Sequence, residues 1–278
     1  MSSASTGSLK PAPGNVCGCL FDLDGTLYQG GEIVPGTVEM LSRLREAAIP
    51  YRFVTNTTRQ PRAAIVANLA QLGIEAELED CLTAPLAAAA WLKARAVERI
   101  LPLLEESTLQ DLDQFVIDRH QPEVVLVGDL GSQWSFEILN TAFRALMQGA
   151  ELVAVQRNRY WRDRDGLILD AGAFVAALEY STGKSAQVVG KPSPEFFAAA
   201  TASLGLAADQ VVMIGDDLEG DVEGARAAGL RAIAVRTGKY RTDDEERAQR
   251  VSDRVLDSVA DLPEWLGLEP RSQTERHP

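Results

Sequence analysis

Four short stretches gather side chains able to act on an anion: Asp22-Leu23-Asp24-Gly25-Thr26, Thr55-Asn56, Gly190-Lys191-Pro192, and Gly215-Asp216-Asp217 followed by Asp221. Carboxylates brought together repel one another, by about 4 kcal/mol for two unit charges 4 Å apart at an effective dielectric of 20. A cluster of them therefore requires a counter-charge. Hard oxygen donors with no His or Cys beside them suit Mg²⁺, which keeps part of its water and takes one or two carboxylates together with substrate phosphate. Lys191 adds a positive charge and Thr55 a hydroxyl. Taken alone, Asp22-x-Asp24-Gly25-Thr26 reads equally well as a polar turn after a strand; the other three stretches shift the balance towards chemistry.

The elements that must position these residues alternate. Val16 to Phe21 is a short apolar run that reads as a buried parallel strand and delivers Asp22 at its end. Pro35 and Gly36 open a helix with Val38, Leu41, Leu44 and Ala48 on one face. The strand Tyr51 to Val54 follows, then a helix through Ile65, Leu69 and Leu72 closed by Gly73. After residue 185 the pattern returns as a strand at Gln187 to Val189, a helix from Pro194 to Leu204 and a strand at Val211 to Ile214. A helix carrying Leu218, Val222, Ala225 and Ala228 then leads to a strand at Arg231 to Val235. Such alternation predicts an α/β fold with a doubly wound parallel sheet, in which ligands bind beyond the carboxyl ends of the strands. The chemical residues fall at those ends.

Between the two halves lie strands at Glu123 to Val127 and Glu151 to Val155, with helices at Ala87 to Val97, Ser135 to Gln148 and Phe174 to Tyr180. They predict a second α/β domain inserted into the first. The expected organisation is a flexible tail at 1–15, a core of 16–80 and 185–268, an inserted domain at 81–184 and a tail at 269–278.

Composition removes other functions. With 40 acidic against 27 basic side chains the net charge is −13, which opposes binding to nucleic acid or an anionic membrane. The only histidines are His120 and His277, which argues against a Ser-His or Cys-His hydrolase. Cys17, Cys19 and Cys81 have neither disulfide-framework nor zinc spacing and read as reduced thiols filling a core, in a cytoplasmic setting. No run reaches the roughly 20 apolar residues of a membrane span, and the N-terminal stretch lacks the hydrophobic region of a signal peptide.

In order and in strand-end placement, Phe21-Asp22-Leu23-Asp24-Gly25-Thr26, Val54-Thr55-Asn56, Gly190-Lys191-Pro192 and Gly215-Asp216-Asp217 with Asp221 resemble the four motifs of the haloacid dehalogenase (HAD) superfamily of aspartyl-phosphate hydrolases. The insertion resembles the large cap of its subclass IIA phosphatases. Asn158-Arg159-Tyr160, the stretch from Gly166 to Tyr180 and Val189 to Phe197 are similar to the subgroup acting on pyrophosphate, phosphohistidine and phospholysine. The resemblance implies a Rossmann-like core with a cap and a Mg²⁺-dependent phosphatase. It makes Asp22 the nucleophile, Asp24 the general acid and base, and Lys191 the cation that neutralises the phosphoryl group. Thr55 and the backbone N–H of Asn56 would hold phosphate, while Asp22, the Asp24 carbonyl and Asp216 would hold the metal. Asp217 and Asp221 would orient Lys191 and metal-bound water.

Look-alikes fail on spacing. Gly183-Lys184-Ser185 ends like a P-loop, but Leu178 stands where the first glycine belongs. Asp22-x-Asp24 begins like an EF-hand, but Ile33 occupies the twelfth position in place of Glu. Asp163-Arg164-Asp165-Gly166 copies the first motif after a charged aromatic stretch and reads as a cap loop. Within Gln156 to Arg162, Asn158 and Arg159 are candidates for holding an anionic leaving group. The expected partner is a small phosphorylated substrate, with a small phosphate monoester as the alternative to pyrophosphate or an N-phosphorylated compound. A non-catalytic interaction protein on the same scaffold is the remaining class, and a homodimer through an exposed cap-sheet edge is an open option.

Overall fold

The structure, a computed structural model, describes residues 15–163 and 166–268; of the expected tails at 1–15 and 269–278, all but Asn15 lie outside the described residues. In chain order the elements are β1 (Gly18–Asp22), β2 (Tyr28–Gln29), β3 (Glu32–Ile33), α1 (Thr37–Glu46), β4 (Tyr51–Thr55), α2 (Arg62–Gln71), β5 (Cys81–Thr83) and α3 (Ala84–Ala94). There follow β6 (Arg99–Leu103), β7 (Val116–Ile117), β8 (Val124–Val127), α4 (Phe136–Met147), β9 (Glu151–Ala154), β10 (Tyr160–Asp163), β11 (Gly166–Leu169) and α5 (Ala171–Thr182). The chain closes with β12 (Gln187–Val188), α6 (Pro194–Leu204), β13 (Val211–Gly215), α7 (Gly224–Ala227), β14 (Arg231–Val235), α8 (Glu245–Val251), β15 (Arg254–Leu256) and α9 (Leu262–Trp265).

These elements form two compact units. The first runs up to Tyr51 and resumes at Leu206; the second is Arg52–Gly205.

In the first unit β15, β14, β13 and β1 lie side by side and parallel, with Phe21 opposite Ile214 and Gly215 opposite Ala234. Their near-continuous burial is that of a parallel sheet covered on both faces, and it explains why the strand calls for aliphatic residues on both sides. α1 buries Thr37, Met40, Leu41 and Leu44. Of the expected face, Leu41 and Leu44 are buried, Val38 is exposed with its neighbour Thr37 turned inward, and Ala48 lies beyond the helix, which ends at Glu46, at φ 53°. Leu218 to Glu223 form a wide π-helical turn before the short α7, where a continuous helix is expected.

In the second unit, five parallel strands run in the order β12-β9-β8-β6-β7. Alternation sorts their side chains. Ile100, Val124, Leu126 and Val153 pack with Ala88 and Leu92 of α3, while Leu101, Val125, Val127 and Leu152 pack with Ala142 and Leu146 of α4 and Val175 and Leu178 of α5. The strand expected to reopen the first sheet at Gln187 instead joins this one, as β12 beside β9. A two-residue strand carries too little pattern to choose its sheet. The expected loop around Asp163 is an antiparallel hairpin, β10 with β11, pairing Tyr160 with Leu169 and Asp163 with Gly166; Arg164 and Asp165 lie outside the described residues. Cys19 and Cys81 are buried as expected, and Cys17 is exposed.

Candidate active site

β1 ends on Asp22 and β13 on Gly215, and their parallel register brings the following loops together. Asp22, Asp216 and Asp221 each place a carboxylate oxygen within 4.8 Å of the others, Asp22 half-buried and the other two buried. Glycine makes this crowding geometrically feasible. A Cβ on Gly215 would sit 2.2 Å from Asp221 Oδ2, and one on Gly25, whose φ is +92°, would sit 2.3 Å from Asp216 Oδ2. Asp216 is further fixed by the buried Thr26, whose hydroxyl donates to Oδ1 at 3.3 Å, and by the Lys239 N–H, which donates to Oδ2 at 2.6 Å.

The electrostatic consequence is a raised proton affinity. Burial first, and then the charge of Asp22, push Asp216 up to about 6, against the opposing hydrogen bond and charge of Lys239. Asp24 is open to solvent on one side, yet partial desolvation and the charge of Asp22 raise its carboxyl above the ordinary range. A carboxyl raised in this way is a suitable proton donor. Three hard carboxylates at this spacing fit a divalent cation, whose charge would relieve the repulsion evident in Asp216.

Asp217 faces another way. Its Oδ1 accepts the N–H groups of Glu219 and Gly220 at 3.1 and 2.9 Å, capping the π-helical turn, and its Oδ2 accepts from Lys239 Nζ at 2.9 Å. The Asp217 N–H in turn donates to Asp221 Oδ2 at 3.2 Å. Lys239 was not anticipated. Desolvation works against its ammonium, but Asp217, Asp22 and Asp216 outweigh that and raise its pKa. The signal existed in the sequence: Thr237-Gly238-Lys239 follows a correctly bounded strand, β14, at its carboxyl end.

In the second unit the loops after β4 and β12 are joined by one side chain. Asn56 donates from Nδ2 to the Lys191 carbonyl at 2.8 Å, and the Lys191 N–H donates to Asn56 Oδ1 at 2.9 Å. Asn56 is thereby committed through its amide to holding the buried Lys191 in place, a use different from the backbone role anticipated for it. Gly190 permits the approach, since a Cβ there would lie 2.0 Å from the Val155 carbonyl. The Thr55 hydroxyl accepts from the Thr57 N–H at 3.1 Å.

Asn158 and Arg159 are exposed, and their carbonyls receive the N–H groups of Gly172 and Asp170 at 3.0 and 3.2 Å. Asp170 caps α5 through the Ala171 N–H at 2.7 Å and also accepts from Gln156 Nε2. Burial raises the Asp170 carboxyl, with the Asp129 charge adding to it against these hydrogen bonds. The Arg157 guanidinium bonds Glu179 at 2.5 Å. The backbone of this segment is thus pinned to the start of α5. The Trp161 and Arg162 side chains lie outside the described residues.

Two family models match the chain: haloacid dehalogenase-like hydrolase over residues 19–117 and HAD-hydrolase-like over 188–262. The chain belongs to the haloacid dehalogenase-like hydrolases, in their subclass IIA phosphatase branch, with the α/β core and inserted cap of that branch. Among curated relatives, phospholysine phosphohistidine inorganic pyrophosphate phosphatase of Homo sapiens is 38% identical over 90% of this chain and 94% of its own length. Haloacid dehalogenase-like hydrolase domain-containing protein 2 of Homo sapiens is 41% identical over 82% of this chain and 87% of its own length. Among solved structures, 4-nitrophenylphosphatase of Thermotoga maritima superposes with a TM-score of 0.84 at 27% identity, covering 90% of this chain and 97% of that one. NagD of Escherichia coli gives 0.82 at 25% identity, covering 89% and 98%. No helix among the described residues is long and apolar enough to cross a membrane.

Proposed function

We propose that this chain is a Mg²⁺-dependent phosphatase that releases phosphate from small compounds through an aspartyl-phosphate. The observation that carries the reading is the carboxylate trio Asp22, Asp216 and Asp221 with the raised Asp24 beside it. Asp22, Asp216 and the Asp24 carbonyl would hold the metal, with Asp221 adjacent to them. When bound, the metal supplies positive charge that lets an anionic carboxylate approach an anionic phosphate.

Asp22 attacks phosphorus while Asp24 gives a proton to the leaving group. Asp24 then removes a proton from the water that hydrolyses the acyl phosphate, which returns both residues to their starting state. Lys191, held at its backbone by Asn56, is assigned to the charge of the transferring phosphoryl group, and Thr55 to a phosphate oxygen. Asp217 and Asp221 orient the groups around them. Residues 81–184 select the leaving group and favour small substrates, with Asn158 and Arg159 as contacts to it.

Similarity to the relative named for phospholysine, phosphohistidine and pyrophosphate favours an N-phosphorylated compound or pyrophosphate as substrate. The neighbours named as nitrophenylphosphatases favour a phosphate monoester as the second reading. Buried free thiols at Cys19 and Cys81 suit a reducing cytoplasm. Phosphate release from pyrophosphate, a phosphoramidate and a panel of sugar and nucleoside monophosphates, with and without Mg²⁺, tests the proposal. The first two should give the highest kcat/KM, and Arg159→Ala should raise KM more than it lowers kcat. Release unaffected by EDTA would overturn the metal-dependent mechanism.

A further inference from the structure

The segment that follows β14 is tied down at several points. The Arg236 N–H donates to the Leu256 carbonyl at 2.9 Å, and its guanidinium bonds Glu245 through Nε and Nη2 at 3.0 and 2.6 Å and Asp257 through Nη1 at 2.7 Å. Tyr240 donates its hydroxyl to Glu245 at 2.7 Å, and its N–H closes a turn onto the Thr237 carbonyl at 3.1 Å. Between these anchors the Thr237 hydroxyl donates to the Gly25 carbonyl at 2.5 Å. Gly238, at φ +59°, lets the strap lie on the carboxylate, since a Cβ there would stand 2.0 Å from Asp216 Oδ2. Lys239 then donates its N–H to Asp216 and its ammonium to Asp217.

We propose that Lys239 is a resident counter-cation that offsets the mutual repulsion of the carboxylates around Asp216 while no metal is bound. The inference deepens the metal-dependent reading of the site and rests on it. Asp22 and Asp216 repel each other, and a cation delivered by an anchored turn offsets that repulsion without occupying the space among Asp22, Asp216 and Asp221. The side chain is 70% exposed, so its effect is partly screened and free to yield when a stronger charge arrives. A merely structural lysine and a counter-cation predict opposite signs for metal affinity. Removing a structural support loosens the site and weakens metal binding. Removing a counter-cation destabilises the metal-free cluster and strengthens metal binding.

Lys239→Met keeps the length and removes the charge; Lys239→Arg keeps the charge. Mg²⁺ affinity is measured by calorimetry at pH 8 and low salt, and Tm is measured in EDTA. The Met variant should melt about 2 to 4 °C lower in EDTA and bind Mg²⁺ about three- to tenfold more tightly. That gain should shrink at about 1 M salt, where the screening length falls to about 3 Å. The Arg variant should track the wild type in both measurements. A Met variant that binds Mg²⁺ no better than wild type, an Arg variant that behaves like the Met variant, or a wild-type chain that takes up no Mg²⁺ overturns the proposal. Phosphate release by the same wild-type preparation separates the two readings: Mg²⁺ uptake without turnover removes the proposed function and leaves Lys239 to be judged on binding.

Discussion

At the ends of β1 and β13, Asp22, Asp216 and Asp221 are crowded against one another's charge, and Asp216 is pushed up to about 6. After β4 and β12, by contrast, Asn56 and the Lys191 peptide satisfy each other with two neutral hydrogen bonds. The first region holds its shape against an electrostatic cost and is relieved by a cation. The second is already at rest. Isosteric changes that remove a carboxylate charge should therefore alter chemistry in the first region while sparing or raising stability. Loss of an amide in the second should damage both.

Asp22→Asn is the sharpest way to break the contrast. It removes the oxygen proposed to attack phosphorus and one repelling charge, so phosphate release should fall by about a thousandfold or more while Tm in EDTA rises. A variant that retains a few per cent of turnover would contradict the covalent mechanism, and one with lowered Tm would contradict the charge argument. Asn56→Ala should lower kcat by about ten- to a hundredfold and cost about 1–3 kcal/mol in denaturant unfolding, because the N–H and the carbonyl of the buried Lys191 both lose the amide. Stability unchanged from wild type would mean that water replaces the amide without loss.

A pH series sharpens the same comparison. An ordinary aspartate titrates near 3.9, and Asp216 in the folded, metal-free chain near 6, so the folded state holds an extra proton between these values. Stability linked to that proton is complete below the unfolded value and lost as pH rises through about 6. Metal entry must expel the proton, so Mg²⁺ affinity should fall about tenfold per pH unit below pH 6; a flat profile by calorimetry at pH 5, 6 and 8 would remove Asp216 from the site. The smallest effect belongs to Tyr240→Phe. Loss of its bond to Glu245 should cost under about 1 kcal/mol in thermal unfolding, since Arg236 still holds Glu245 bidentately.

The residues after β1, β4 and β13 were legible because continuous apolar runs mark buried parallel strands and polar residues follow them at once. β14 and α6 were bounded to the residue, the latter because Ser193, Pro194 and Gly205 carry the capping chemistry of its two ends. The membership of Gln187–Val188 in the second sheet was not legible, since partner choice is a tertiary matter and two residues carry no periodicity. The β10–β11 hairpin was hidden by its charged, aromatic first strand, Tyr160–Asp163, which lacks the alternation of a half-buried strand. At the site, the carboxylates announced themselves by type and spacing, but the clasp of Asn56 on a peptide 135 residues away has no local signature. Lys239 had a positional signal, its place after the carboxyl end of β14, but which acids it meets was not legible.

Thr26 and Asp216 touch across 190 residues of chain. At the usual pace of about 5–20 residues per second, translation delivers the two with a gap of roughly 10 to 40 s. The carboxylate trio therefore cannot assemble on a nascent chain that has exposed only its first strand and loop. A metal site of the kind proposed would then form only after Asp216 and Asp221 have emerged, and a ribosome-bound fragment carrying the Asp22 loop alone would lack it.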